Sequence, residues 1–549
     1  MALTVDTPPE PPRQSGLAAL VGAGGSLRSR RRRFPLLLTT TSVLVVAALL
    51  SPLGLIIAQA AQAGWAQVWA LLDRAFVATL LWNAVRLALV VTALCAVIGT
   101  GAAWITERTA LPARRIWAVL LIVPLVVPDF VLAWTWSSVF PAVHGYWGAV
   151  LVMTLHLYPL VYLPMAAAFR AADPGQEEAA RSLGLSRLSA WVRVSVRQAR
   201  STLLGGCLLV CLALLAYYGA FENLRYQTFT TAIFGELRIQ FAPAVASSLS
   251  LVLVGLSLVV LAGEAMFRER GRLVRTGPMA QRGHVPISMG RLRPVAMVGV
   301  GVLVGLALAL PIAVVVYWMV AGGSSGLPGA MSLGAATGYS ALYSAVGGVV
   351  ATVCALPVAL FAARHQRRWS AALERSTFVV QGVPGIVIAL ALVYAASHFL
   401  QSLYQSPGLL VAAYAMMFFP LALVAMSSSV VRASPRLEDM GRALGKGPLA
   451  VRLTVTLPLV APGLLAAFCF VFLSAVTELT ATLLLVPTGV QTLATQFWAY
   501  AEQGVSFGAA APYAAMMIVL SAVPAYLLGR WFDRTFVYEA GQNTMRALT

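Results

Sequence analysis

The sequence predicts an all-α polytopic membrane protein, with about twelve transmembrane helices arranged as two parallel six-helix repeats. Composition is the first observation behind this prediction. Apolar residues make up 60% of the chain and charged residues 10%, whereas soluble domains carry about 25% charged residues. A bilayer accommodates such a chain because lipid-facing side chains must be apolar and helices satisfy their own backbone hydrogen bonds. The spacing of the basic residues and an internal repeat are the other two observations.

Twelve apolar segments reach the roughly 20 residues that a helix needs to cross a bilayer. In the first half they are residues 35–60, 78–105, 115–138, 147–169, 200–221 and 243–267. In the second half they are residues 295–320, 338–363, 376–398, 408–430, 461–482 and 511–532. Six spans separate equivalent positions, so the halves have the same orientation and the repeat is parallel.

Basic residues occur in alternate loops of the predicted helices. The loops after the second, fourth, eighth and tenth spans are rich in Arg, while loops 139–146, 321–337 and 399–407 contain neither Arg nor Lys. Because positively charged loops stay in the cytoplasm, both termini of this multi-pass protein are predicted to be cytoplasmic. Basic residues that bind nucleic acid cluster instead on one face of a soluble domain, so nucleic-acid binding is disfavoured.

The apolar and basic segments divide the chain into five parts. They are a disordered basic cytoplasmic tail (1–33), a first transmembrane domain (34–274), a cytoplasmic linker (275–293), a second transmembrane domain (294–534) and a cytoplasmic tail (535–549). The first span could also be taken for a cleaved signal peptide. Its apolar run is longer than the roughly 7–15 residues of a signal core, which favours a retained span. The Arg run of the first tail suits contact with membrane lipid.

An internal repeat lies in the loops that follow the fourth and tenth spans. Residues 173–184 read DPGQEEAARSLG, and residues 434–445, which lie 261 positions further on, read SPRLEDMGRALG without a gap. Ten residues past each final glycine the chain reads VSVR (194–197) and VTLP (455–458). A bilayer does not require such a repeat in a loop, so we expect it to contact a cytosolic partner.

Each copy of the repeat predicts a short helix outside the membrane. Asp173 and Ser434 are good N-cap residues, and each precedes a proline, which suits the first helical position. Gly184 and Gly445 allow the chain to turn out of the helix, because glycine adopts left-handed dihedral angles at low cost. Small residues leave a low surface that a partner backbone can approach, namely Ala179, Ala180 and Gly441.

The repeat resembles the "EAA" signature of permeases in binding-protein-dependent ABC importers, which reads Glu-Ala-Ala, three residues, Gly, nine residues, Ile-x-Leu-Pro. In that family each signature forms a coupling helix that docks into a groove on an ATPase subunit. The chain departs from the signature at Arg197, which replaces the proline, and at 439–441, which replace Glu-Ala-Ala. The resemblance implies these ATPase-coupling residues: Glu178, Ala179, Ala180, Gly184, Asp439, Met440, Gly441 and Gly445.

Further stretches resemble the fused ferric-iron permeases of this superfamily. They are residues 381–386, 476–484 and 492–495, with 216–222 and 228–231 as first-half counterparts. The resemblance implies uptake of ferric iron along a path lined by Tyr217, Tyr218, Glu222, Glu478 and Thr480. Members of the family tend to have an acidic residue where Tyr217 stands. Permeases for thiamine, phosphonate and polyamines share the same plan and remain alternative functions.

The motifs of an ATPase or a metalloenzyme are missing from the sequence. It lacks the G-x-x-x-x-G-K-[ST] pattern that binds ATP phosphates and the spacing of metal ligands, and we predict no catalytic residue and no cofactor. His156, within the fourth span, fits a hydrogen-bonded packing residue better than an ion ligand. The resemblance implies as partners two copies of a cytoplasmic ABC ATPase, and a binding protein that is periplasmic or lipid-anchored, at a bacterial plasma membrane.

An ion-coupled secondary transporter is the alternative from a different class. Such a transporter also fits twelve spans in two halves, and it typically pairs charged residues at mid-membrane. Here Glu478 is taken as the one acid inside the spans, and the repeated cytoplasmic helix has no use in such a transporter. The sequence therefore favours the ABC permease.

Overall fold

The computed structural model describes residues 36–172, 174–269, 289–323, 328–364, 373, 376–377, 379–503 and 506–546. The helices of the first half are α1 (Leu36–Ala63), α2 (Trp65–Leu72), α3 (Ala75–Arg108), α4 (Arg114–Leu120), α5 (Asp129–Val139), α6 (Gly145–Ala171), α7 (Pro174–Ser182), α8 (Arg187–Ala190), α9 (Arg200–Ala216), α10 (Gly219–Asn223), α11 (Phe229–Arg238) and α12 (Pro243–Glu269). A π-helical segment, Trp191–Val196, connects α8 to α9.

The second half repeats this order. Its helices are α13 (Arg293–Val304), α14 (Leu310–Ala321), α15 (Ala330–Arg364), α16 (Gly385–His398), α17 (Pro407–Arg432), α18 (Pro435–Ala443), α19 (Pro448–Val451), α20 (Leu457–Val476), α21 (Thr480–Leu485), α22 (Leu493–Trp498) and α23 (Phe507–Arg546). The π-helical segment Arg452–Thr456 connects α19 to α20. The predicted all-α fold of two parallel repeats is confirmed.

The spans agree with the prediction in position but not always in length. In the described residues, nine helices are long and apolar enough to cross a membrane, and a tenth span results if Arg114–Val126, which is α4 with the 3-10 turn after it, is counted together with α5. These two are bent by 91° at Val127-Pro128, because Pro128 lacks the N–H that would continue the helix. The predicted span 200–221 ends as a helix at Ala216, and the predicted span 461–482 ends at Val476.

Close helix packing within each half depends on glycine. A methyl group on Gly99 of α3 would lie 2.9 Å from the backbone of Tyr158 in α6. In the second half, a methyl group on Gly463 of α20 would lie 2.7 Å from the side chain of Ser429 in α17. In a membrane, helices associate through such small residues, because lipid offers no hydrophobic driving force between them.

The two halves exchange helices. One hydrophobic core combines α3, α5 and α6 of the first half with α13, α22 and α23 of the second. The other core combines α15, α16, α17 and α20 of the second half with α1 and α12 of the first. The surface between the halves is therefore extensive, and the breaks after α9 and α20 lie along it.

Candidate functional sites in the motif helices and between the halves

The two motif helices, α7 and α18, occupy the same place in their halves, between the fourth and fifth spans. The Ser434 hydroxyl accepts a hydrogen bond from the backbone N–H of Arg436 at 3.2 Å, which confirms this residue as the N-cap of α18. Asp173, the predicted N-cap of α7, lies outside the described residues. Gly184 and Gly445 have φ angles of +93° and +80°, so the predicted glycine turns are confirmed.

The outer face of each motif helix is exposed. Glu178 and Ala179 of α7, and Asp439 and Met440 of α18, all point to solvent. Beside each glycine turn stands a leucine that the sequence reasoning missed: Leu183 is 86% exposed and Leu444 is 81% exposed. They occupy equivalent positions of the repeat. A single exposed apolar residue is common on a protein surface, so it is the recurrence of the leucine in both copies that indicates a contact surface.

The inner face of the motif helices corrects one expectation. Gly441 is buried, and a methyl group on it would lie 3.2 Å from Val451 and 3.5 Å from Val455. This glycine therefore lets α18 pack on its own transmembrane half, and it does not belong to the surface that a partner approaches. Its first-half counterpart, Ala180, is partly buried.

Two buried carboxylates anchor the inner faces. Glu177 and Glu438 are 8% and 6% exposed. The hydroxyl of Ser195 donates to Glu177 at 2.8 Å, and the hydroxyl of Thr456 donates to Glu438 at 2.7 Å. In the second half, the guanidinium of Arg364 also donates to Glu438. Sequence reasoning missed this contact, although a glutamate and a hydroxyl residue recur at the same positions of both copies.

The predicted path residues lie where the chain leaves the helices after the fifth and eleventh spans. Glu478 follows α20, and its carboxylate accepts the backbone N–H of Ala481, at the start of α21, at 3.0 Å. Thr480 is buried beside it. Tyr217 follows α9 and lies close enough to Glu478 to interact with it electrostatically. Its hydroxyl is 3.3 Å from Nε2 of His156, so the predicted hydrogen bond of this histidine is confirmed.

A second acid, Asp129, belongs to the same site and was overlooked within the third predicted span. It is the first residue of α5 and is 8% exposed. Its carboxylate accepts the backbone N–H of Ala220, at the start of α10, and lies close enough to interact with Glu478 electrostatically. The statement that Glu478 is the one acid inside the spans is therefore wrong. Two acids, one from each half, face each other between the halves.

The two acids come from non-equivalent positions. Asp129 and Gly385 are the counterparts that open α5 and α16, each after a Val-Pro pair, while Glu478 corresponds to Tyr217 in the repeat. A methyl group on Gly385 would lie 3.6 Å from Oε1 of Glu478. Each half therefore contributes one carboxylate to the site. In the first half this carboxylate stands on α5, and in the second half it stands in the break after α20.

Tyr218 and Glu222 belong to a neighbouring group, not to the Asp129–Glu478 pair. Tyr218 is buried, and its ring stacks on Phe234 with 4.4 Å between ring centroids. Glu222 lies near Glu502 of the second half, whose carboxylate accepts a 2.6 Å hydrogen bond from Asn223. Burial raises the pKa of the Glu222 carboxyl, and the charge of Glu502 raises it further. In the described residues, no group of three His, Cys, Asp or Glu side chains is arranged to hold a metal ion.

Two repeated membrane halves, each with a motif helix between its fourth and fifth spans, define the transmembrane subunit of an ABC importer. The chain belongs to the family described as "Binding-protein-dependent transport system inner membrane component", whose sequence model matches residues 96–271 and 355–538. The resemblance stated for the motif is thereby confirmed. The chain is a multi-pass inner-membrane permease, and its family implies an ATPase and a substrate-binding protein as partners.

Individual relatives agree with this family. The "Fe(3+)-transport system permease protein FbpB 2" of Haemophilus influenzae is 33% identical over 88% of this chain and 96% of its own length. The "Sulfate transport system permease protein CysT" of Salmonella typhimurium is 27% identical over 39% of this chain and 84% of its own length. The first relative spans both halves of the chain, and the second has the length of one half.

Proposed function

We propose that this chain is the fused channel subunit of an ATP-driven importer of ferric iron that works by alternating access. A relative that aligns with 88% of this chain and 96% of its own length is named as a Fe(3+)-transport permease. Carboxylates, a phenol and a hydroxyl line the surface between the halves, and hard cations prefer such oxygen ligands. Sulfate, the substrate in the name of a shorter relative, is an anion that these acids would repel. Thiamine, phosphonate and polyamines remain the alternatives to be tested.

One observation carries the ATP-coupled mechanism, namely the two equivalent motif helices with exposed outer faces. Each has a buried glutamate bound to a hydroxyl on its inner side and an exposed leucine at its end. Two equivalent surfaces suit two copies of a cytoplasmic ABC ATPase. ATP-driven closure of the two ATPase subunits would draw α7 and α18 together and move the halves apart at the opposite end. The chain itself has no catalytic role in this proposal.

The orientation follows from the charges of the loops. Loops beside the motif helices are rich in Arg, and those at the opposite end have almost none. We therefore assign the motif helices and both termini to the cytoplasm. The binding protein, periplasmic or anchored to lipid, delivers its substrate at the opposite end. Glu222 and Glu502 form an outer acidic group, while Asp129 and Glu478 form the inner pair of the path.

A competition experiment tests the substrate. Cells that lack their own ferric-iron uptake receive the chain with its ATPase and binding protein, and uptake of radiolabelled Fe³⁺ is measured. We expect uptake that depends on ATP and that excess thiamine, phosphonate, spermidine or sulfate leaves unchanged. Uptake of one of those competitors in place of iron would overturn the iron assignment but leave the ABC mechanism intact.

A further inference from the structure

The buried glutamates of the motif helices have no place in ATPase docking, because they face away from the exposed surface. In α18 the two buried residues are Glu438 and Gly441. Gly441 contributes an apolar contact with Val451 and Val455. Glu438 contributes the polar contact, and its carboxylate is held by Thr456 and Arg364.

Three elements meet at the Glu438 carboxylate. The glutamate stands on α18, Thr456 ends the π-helical segment that leads into α20, and Arg364 is the last residue of α15. A carboxylate without water is stable only where cations and donors satisfy it. The motif helix is therefore fixed to the cytoplasmic ends of two transmembrane helices through one group.

The first half repeats the arrangement. Glu177 accepts a hydrogen bond from the hydroxyl of Ser195. Arg108, the last residue of α3, is buried and ends the helix that corresponds to α15, which Arg364 ends in the second half. The two copies use different hydroxyl residues for the same bond. A hydroxyl at this place, and not a particular side chain, is what the arrangement requires.

The helices held by these glutamates lead to the path between the halves. From Thr456, α20 runs to Val476, two residues before Glu478, and α9 runs in the same way to Ala216, directly before Tyr217. We propose that Glu438 and Glu177 are positioning residues that transmit the movement of the motif helices to the substrate path. This inference rests on the proposed ATPase coupling but not on the identity of the substrate.

The test separates ATPase docking from the response across the membrane. The purified permease is combined with its ATPase in lipid nanodiscs. Its five native cysteines are replaced by residues without a thiol, and Tyr404→Cys, in the loop between α16 and α17, supplies the single thiol for labelling. Tyr404 is exposed at the end opposite the motif helices. Bound ATPase and the change in thiol labelling rate upon ATP addition are measured on the same samples, without iron.

We expect Thr456→Val, which removes the hydroxyl and keeps the shape, to bind ATPase normally and to lower the ATP-dependent change about tenfold. Glu438→Gln should also bind ATPase normally and show the lowered ATP-dependent change in labelling rate. Thr456→Ser keeps the hydroxyl and should respond like the wild type. Glu107→Gln is a matched control, since it breaks a 3.1 Å ion-pair contact with Arg170 at the same end of the bundle and should also respond normally.

Three results would overturn the inference. A normal response of Thr456→Val would show that the hydroxyl bond transmits nothing, and parallel loss of ATPase binding would make the glutamate part of the docking surface. An impaired Glu107→Gln control would likewise remove the specific role. A wild-type permease that binds no ATPase would instead contradict the proposed function, which keeps the two failures apart.

Discussion

At the scale of single residues, the Asp129–Glu478 pair defines the interior of the proposed path. The backbone N–H groups of Ala220 and Ala481, which are equivalent in the repeat, each hold one carboxylate. Tyr217 occupies the first-half position that corresponds to Glu478, and the first-half carboxylate stands instead on α5. We infer that the pair requires a carboxylate at each of these two N–H groups, whichever element supplies it.

Moving the first-half acid tests this interpretation. Asp129→Gly should lower iron uptake about tenfold or more, the factor expected for a lost charge-assisted contact of ~1.5–3 kcal/mol. Adding Tyr217→Glu should restore much of it, because the Ala220 N–H can then hold a carboxylate in the arrangement of the second half. Uptake is measured at equal membrane abundance. Asp129→Gly with Tyr217→Gln is the uncharged control, and equal uptake by both double variants would contradict a role of the charge.

The glycine turns of the motif helices carry a second residue-scale prediction. Gly184 and Gly445 have positive φ angles with open space around them, so a side chain there is strained by the backbone conformation, at about 1–2 kcal/mol or more for valine. The double variant Gly184→Val, Gly445→Val should stay in the membrane but lose transport coupled to ATP hydrolysis. Gly447→Val is the control, since Gly447 has a φ angle of −63° and open space. Normal uptake by the double variant would contradict the prediction.

At the scale of elements, the motif helices have two faces with different tasks. The inner face carries a buried glutamate, and the outer face carries Leu183 or Leu444. Sequence reasoning located both helices because caps and glycine turns are local signals. It could not assign their faces, because the orientation of Glu438 and Gly441 depends on α15 and α20, which are distant in the sequence.

The two exposed leucines lead to a prediction about the affinity of the ATPase for the permease. Burying a leucine in an ATPase groove contributes about 1.5–3 kcal/mol, so Leu183→Ala and Leu444→Ala should each weaken ATPase binding about tenfold or more. Titration of the ATPase onto the permease in nanodiscs measures this change. Ser182→Ala, an exposed neighbour whose hydroxyl bonds the backbone of its own helix, should leave binding unchanged. Unaltered affinity of both leucine variants would place the docking surface elsewhere.

At the scale of the whole molecule, the exchange of helices between the halves explains what the sequence predicted and what it did not. Hydropathy located the spans because each one meets the same lipid. The breaks after α9 and α20, and the burial of Asp129, depend on contacts between the halves, which hydropathy does not report. The Val-Pro pair before α5 could have drawn attention to Asp129, since it recurs before Gly385.

The loop charges also make a prediction about the whole molecule. Reporters fused after Arg33, within 276–290 and after Thr549 should be cytoplasmic, and those within 321–337 should lie on the opposite side. Reporters in the linker that lie outside would contradict the orientation. A mature N-terminus near Ala61 would show instead that the first span is a cleaved signal.

Iron flux through vesicles tests the central claim most directly. The permease, its ATPase and its binding protein are reconstituted into proteoliposomes, and uptake of radiolabelled Fe³⁺ is measured together with ATP hydrolysis. The account predicts ATP-dependent uptake by the wild type. It also predicts that Glu478→Gln, which keeps shape and hydrogen bonding but removes the charge, lowers uptake about tenfold at equal protein content. Wild-type uptake rates for Glu478→Gln would contradict a path between the halves that depends on its charge.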